Sequence, residues 1–384
     1  MSLAFSLYLT ALHISIIEVG LVAATTMLFM VFLTMLLGII GDRKGYRAEL
    51  VIAETFAFAG ALIIAVSSSV AYIIAGMIIA GLSGSAGGMR GAFSPGTNAF
   101  VANNYKEGKE RVRKYSLLTM TASAAAVGGS IIFSLVSPLS LYVGLLSAYR
   151  YLFVIAAALL GVSVIFLMML HDAQRPAKTT KIMKKSSIKY SLRMIVANSL
   201  GGVGMGLVMP LLPLWFKLSY GASPLEIGII FSVVYIATAS GSYVSSAIAH
   251  KFNALNISSY TRMLSGLLLF LMAISPALVI VALVYVARAI IAGFGSPSRT
   301  SVNVRGIDTE DYGAATSVQG IASRAAQLSS GASGYLMDYA LPVPIFIGGI
   351  FQLLSGVSYK LLFKDAKKQG EEPHSGHSME KGNG

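Results

Sequence analysis

The chain has 384 residues, 55 % of them hydrophobic and only 12 % charged, with a mean hydropathy of +0.73. A soluble protein carries about a quarter charged residues, so these proportions point to a polytopic membrane protein. There is no cysteine, the five histidines are scattered, and neither HxxxH nor GxSxG occurs, which argues against thiolate metal sites, other metal centres and hydrolytic enzymes.

Spanning helices need about 20 apolar residues. In chain order the candidates are 16–41, 50–68, 70–102, 115–136, 151–171, 192–218, 224–249, 257–275, 277–304, 313–336 and 343–363. Residues 1–12 precede them as a stub of about 18 Å, too short for a hydrocarbon core of about 30 Å. The stretch after 171 is strongly basic, with Arg175, Lys178, Lys181, Lys184, Lys185 and Lys189 against Asp172 alone. It reads as a cytoplasmic linker. The tail from Lys364 to Gly384 has too little apolar surface to fold.

The sequence repeats itself at an offset of 208. Ile17-Glu18-Val19-Gly20 answers to Leu225-Glu226-Ile227-Gly228, and Ile78-Ile79-Ala80-Gly81 later answers to Ile290-Ile291-Ala292-Gly293. The expected architecture is all-α: two pseudo-symmetric six-helix bundles at 1–171 and 192–363, a basic linker at 172–191 and a disordered cytoplasmic tail at 364–384. Met1 aligns with Met209, inside a span, so the first half lacks about 17 residues that precede Met209 in the second. The expectation is a reading frame that starts upstream of Met1, or else a half-length first helix.

The net charge of +13 is explained by location. Most Lys and Arg fall in the loops at 42–49, 104–114, 172–193, 250–262 and 305–312 and in the tail, whereas the opposite loops hold only Arg150 and Lys217. That is the positive-inside pattern, which places the basic loops in the cytoplasm against lipid headgroups and removes the case for nucleic acid.

Gly38-Ile-Ile-Gly41-Asp42-Arg43-Lys44-Gly45-Tyr46-Arg47 joins the first two complete spans. It resembles the signature loop of the major facilitator superfamily, and the length, paired halves and basic linker match that family too. The resemblance implies a transporter without cofactor or enzymatic activity, and a gate latch in which Asp42 faces the start of helix 11, near Tyr312. Gly38 is expected to let helices approach closely and Gly45 to permit a tight turn. In the second half, His250-Lys251-Phe252-Asn253 has lost the acid and the glycine. The family's antiporter motif in helix 5 is not met, since Gly128-Gly129 is followed by no proline before Pro138.

Glu18 and Glu226 each stand three residues after a serine, Ser15 and Ser223. That spacing is a capping box. Glu54 lies about 10 Å into its helix and is either a proton carrier or a partner of Arg43 or Lys44. Arg90, Arg288, Arg299 and Arg324 fall inside spans, where a charge costs about 2.5 to 3.5 kcal/mol and is normally buried in protein or lines an aqueous cavity. Since helices 4 and 10 of the family line its central cavity, Arg90 and Arg288 are the leading candidates for substrate contact, with Arg299 and Arg324 behind them. Asn198 and Gln319 either face that cavity or join helices as polar glue. Two glycine runs, 84–91 and 201–206, lack nucleotide-loop spacing and read as close helix packing. Trp215, Phe216, Tyr142, Tyr149 and Tyr151 sit at outer span ends, where interface anchoring is the default.

The function expected is secondary active transport of a small organic solute by alternating access, coupled to protons, by a monomer in the cell membrane. Multidrug or metabolite efflux is the alternative, and a non-transporting scaffold or sensor on the same fold is the alternative of another class. Arg90 and Arg288 together favour an anionic substrate.

Overall fold

The computed structural model describes residues 1–82, 93–105, 109–172, 183–248, 253–307 and 311–363, with some helical side chains, Asp42's among them, outside the description. The first part contains α1 (Ala4–Ala11), α2 (Ile16–Lys44), α3 (Tyr46–Val66), α4 (Val70–Ala80), α5 (Phe93–Asn104), α6 (Lys109–Ser134), α7 (Val136–Val143) and α8 (Leu145–Met168). The second contains α9 (Lys185–Val208), α10 (Leu212–Tyr220), α11 (Pro224–Ile248), α12 (Ala254–Ala273), α13 (Leu278–Val304), α14 (Tyr312–Ala326), α15 (Ser330–Tyr339) and α16 (Val343–Leu362). Among the described residues, eight helices are long and apolar enough to cross a membrane. The protein is an all-helical, multi-pass membrane protein.

Local chemistry sets the helix starts. Ser15 Oγ accepts from the Glu18 N–H at 3.3 Å while the Glu18 carboxylate accepts from the Ser15 N–H at 2.9 Å. Ser223 and Glu226 repeat this at 3.3 and 2.8 Å. Both acids are therefore committed to helix caps that satisfy otherwise orphaned N–H groups. Gly45 has φ 120°, a conformation that L side chains rarely adopt, and it ends α2 while opening α3. Pro297 inside α13 cannot donate back to the carbonyl four residues earlier. Ser242 Oγ of α11 donates to that carbonyl, Gly293 O, at 3.0 Å instead.

Several boundaries differ from the sequence expectation. Helix α9 begins at Lys185, within the stretch read as linker, because its polar side chains turn inward. Ser187 and Ser191 are buried, and the Tyr190 hydroxyl donates to Val302 O at 2.5 Å. Helix α8 begins at Leu145 and so contains Arg150. The interface-anchor reading fails for Trp215, Phe216 and Tyr149, each at most 1 % exposed. They are core residues: Trp215 meets Phe216 and Tyr220 edge-on at 5.4 and 5.3 Å, and Tyr149 packs on Tyr8 of α1 at 5.3 Å. Tyr142 and Tyr151 remain exposed.

The two parts meet where α2 packs on α15 and α6 on α11. A Cβ on Gly20 would lie 2.7 Å from the backbone N of Gly334, and one on Gly334 would lie 2.5 Å from Ile16 O. A Cβ on Gly228 would lie 2.6 Å from Ser134 Cβ and 2.8 Å from Ser130 O, and the Ser130 and Ser232 hydroxyls bond at 2.7 Å. Gly20 and Gly228 are repeat equivalents, so one glycine serves each seam. Both seams lie near the starts of α2 and α11, the end opposite the basic loops. In lipid no hydrophobic force drives helices together, so close backbone approach and hydrogen bonds must hold them.

Gly228→Val is therefore expected to lower stability by about 1 to 3 kcal/mol through overpacking, read as a lower melting temperature in detergent. Gly129→Ala, at an exposed position with no described atom within 4 Å of the added Cβ, is expected to be neutral or stabilising.

Candidate functional site

The signature loop is a joint whose glycines Gly41 and Gly45 are buried. Gly41, rather than Gly38, is the point of close approach: no described atom comes within 4 Å of a Cβ on Gly38, whereas one on Gly41 would collide with the carboxylate of Glu49. Glu49, in the first turn of α3 and 2 % exposed, also fills the space beside Gly96 of α5, where a Cβ would lie 2.8 Å from Glu49 Oε1. Loop position alone had concealed Glu49; its early place in α3 and the glycine eight residues before it were the available signal. The Arg47 N–H donates to both oxygens of Asp172 at 3.1 and 3.2 Å, and its guanidinium donates to Met168 O. This fastens α3 to the end of α8. Arg43 is exposed.

A second acid does the same work in the other part. Asp311 accepts from the Lys184 N–H at 3.0 Å, tying the start of α14 to the start of α9. A hydrogen bond from Ser187 and that N–H hold its carboxyl below the usual carboxylate range.

The intramembrane candidates separate into groups. Arg90 lies outside the described residues, as does the glycine run at 84–91. Arg324 of α14 donates to Thr34 Oγ1 of α2 at 2.6 Å, a cationic bridge between the two parts. Asn198 of α9 is the hub of a network: its Oδ1 accepts from the Tyr359 hydroxyl at 2.6 Å and from Arg262 Nη2 at 3.1 Å, and its Nδ2 donates to Asn303 Oδ1 at 3.0 Å. Gln319 joins it through Asn303 O at 3.3 Å. The network ties α9, α12, α13, α14 and α16 together. The sequence places Arg262 in a basic loop; it sits instead in the third turn of α12, because Gly201, bearing no side chain, leaves room for its guanidinium.

Arg299 Nη2 donates to Ala292 O at 2.7 Å, inside its own helix. Arg288 is only 5 % exposed, and its Nη2 points at the sulfur of Met205 at 3.0 Å while its Nε is buried without a hydrogen-bond partner. Glu54 is buried in α3 at 2 % exposure. The run 201–206 packs helices as expected: a Cβ on Gly204 would lie 2.7 Å from Gly348 O of α16, and one on Gly202 would lie 2.9 Å from Ser323 O of α14. No group of three or more metal-ligating side chains occurs among the described residues.

Because Asp311 titrates lower in the folded protein than its ordinary value of 3.8, its contribution is full above the unfolded pKa and is lost as pH falls through the folded one. Below pH 4 the parent should lose melting temperature more steeply than Asp311→Asn, for which this loss is already incurred at pH 7. Parallel slopes for the two proteins would remove the cap from the stability of this end.

The fold is that of known carriers. A bacterial homolog of the human lysosomal transporter Spinster, in an inward-facing and unoccupied conformation, superposes with a TM-score of 0.67 at 12 % identity, over 96 % of this chain and 93 % of that one. A POT family transporter in complex with a thioalcohol-conjugated peptide gives 0.76 at 13 %, over 95 % and 92 %. A D-xylose–proton symporter gives 0.71 at 14 %, over 94 % and 91 %. No curated protein sequence matches the chain. The sequence profile of the Major Facilitator Superfamily matches residues 1–331, and with the paired helices and the glycine seams already described, the chain belongs to that family of transporters.

Proposed function

We propose that the protein is a secondary active transporter that moves a small organic solute by alternating access between the bundles at 1–171 and 192–363. The observation that carries this reading is the pair of seams. Contacts between small rigid groups at one end of two bundles suit an interface that opens and closes as a unit, since packed interfaces are bistable rather than continuously deformable. Proton coupling is the energy source in this proposal, with Glu54 as carrier and the cell membrane as location, the linker and C-terminus facing the cytoplasm. The protein works as a monomer in contact with lipid and needs no cofactor.

The seam can be locked. Ala24 Cβ lies 3.1 Å from where a Cβ on Gly331 would stand, close to the separation of about 3.5 to 4.5 Å that a disulfide requires, and the chain has no cysteine of its own. In proteoliposomes, the oxidised Ala24→Cys/Gly331→Cys pair should stop solute exchange, and a reductant should restore it. Full exchange by completely cross-linked protein would overturn alternating access at this seam. If the parent exchanges no solute at all, the scaffold reading takes its place.

The latch gives a second test. Asp42→Asn should remove an attraction to the start of α14 of about 0.3 to 1 kcal/mol, or up to about 2 when partly buried. Cysteine labelling on the basic-loop side should rise several-fold. Unchanged labelling on both faces would leave Asp42 a plain loop charge.

A further inference from the structure

Arg288 is a buried cation with no counter-ion among the described residues, in a bundle whose acids lie at helix ends and connections. Between residues 173 and 307 the sole acid is Glu226, and its carboxylate is engaged by Ser223 at the far end of α11. The remaining acids of the second bundle are Asp308, Glu310 and Asp311, in the connection between α13 and α14, and Asp338 at the exposed end of α15. Its ionisable neighbours are Tyr285, a turn earlier on the same helix, and a second cation, Arg299.

The guanidinium meets a thioether and lies beside Tyr285, which belongs to an aromatic cluster. Met205, flanked by Gly204 and Gly206, offers a thioether, which is a weak acceptor on a flexible side chain and yields its place readily. Tyr285 stands against Phe231 at 5.5 Å and Phe216 at 6.0 Å, and Phe231 against Tyr235 at 6.2 Å. Both Arg262 and Arg288 keep a buried Nε unbonded, but Arg262 has an oxygen acceptor in Asn198, whereas Arg288 presents its fork to sulfur. Isolated charges persist in such surroundings where function requires them, because stability alone would select against them.

From this we propose that Arg288 is the counter-ion site for an organic monoanion with an aromatic or other apolar body. The anionic group takes the guanidinium fork in place of the Met205 sulfur, since a planar carboxylate matches that fork. The apolar body lies against Met205, Tyr285 and Tyr235. The assignment rests on the transport reading above and sharpens its substrate class.

The test uses purified full-length protein and its Arg288→Met variant, with melting temperature read against a series from benzoate through 4-phenylbutyrate to 2-naphthoate, and against benzamide and benzylammonium. The parent should be stabilised by one or more of the carboxylates and by neither control, and the variant should bind that carboxylate at least tenfold more weakly. Without ligand, the variant should melt at or above the parent, because an unpaired buried charge has been replaced by an apolar chain of similar length. A variant that melts well below the parent would make Arg288 structural and overturn the proposal. So would stabilisation by benzylammonium alone, by none of the carboxylates, or equally in both proteins.

Failure of the anion and failure of transport remain distinguishable in proteoliposomes. Exchange of a neutral or cationic solute by parent and variant alike would keep transport and remove the anion. Carboxylate stabilisation that needs Arg288, with no exchange of any solute, would keep the anion site and remove transport.

Discussion

The two bundles are held together where backbone meets backbone, at Gly20 against Gly334 and at Gly228 against Ser130 and Ser134. Lipid is as apolar as any leucine, so apolar area by itself does not make two bundles associate. Short-range dispersion and the Ser130–Ser232 hydrogen bond can, but only if no side chain intervenes. That requirement explains why the same repeat position is glycine in both halves, and why each is followed along its helix by small or hydroxylated side chains. It also concentrates the contact at one end. Away from it, Arg324 donates to Thr34 across the two parts.

Charge is distributed unequally over this pseudo-symmetric frame. Glu49 and Glu54 are buried in the first bundle, whereas the second holds Arg262, Arg288, Arg299 and Arg324 within its helices and keeps its acids at helix ends and connections. Three of these arginines have oxygen acceptors: Asn198, Ala292 O and Thr34. Arg288 has sulfur. In a medium where an unsatisfied polar group is expensive, the difference separates three arginines with an oxygen acceptor from one whose acceptor is a weak thioether.

Fastening at the basic-loop end follows a common logic in both parts. An acid at a helix boundary accepts the backbone N–H at the start of another helix, Asp172 after α8 for α3 and Asp311 before α14 for α9. Free N–H groups at a helix start carry partial positive charge, so carboxylates are favoured there over neutral caps. The exposed lysines nearby, Lys185 and Lys189 among them, contribute little to packing.

The sequence by itself determined what depends on near neighbours along the chain: eight of the eleven expected spans, from long apolar runs; the capping boxes at Ser15 and Ser223, from a three-residue spacing; the turn at Gly45; and the repeat that pairs Gly20 with Gly228. Tertiary structure alone decided where polar and aromatic side chains point. Trp215 and Phe216 read as interface anchors because the ends of spans usually are, yet α1 and α11 cover them. Arg262 read as a loop charge because it follows a basic loop, yet the gap at Gly201 and the acceptor on Asn198, 61 and 64 positions away in sequence, draw it inside. Glu49 lay hidden in a charged loop until α2 and α5 closed over it. A sequence pattern reports the period and length of a helix, but the direction in which a buried charge is satisfied is set by helices distant in sequence, and no local pattern carries that information.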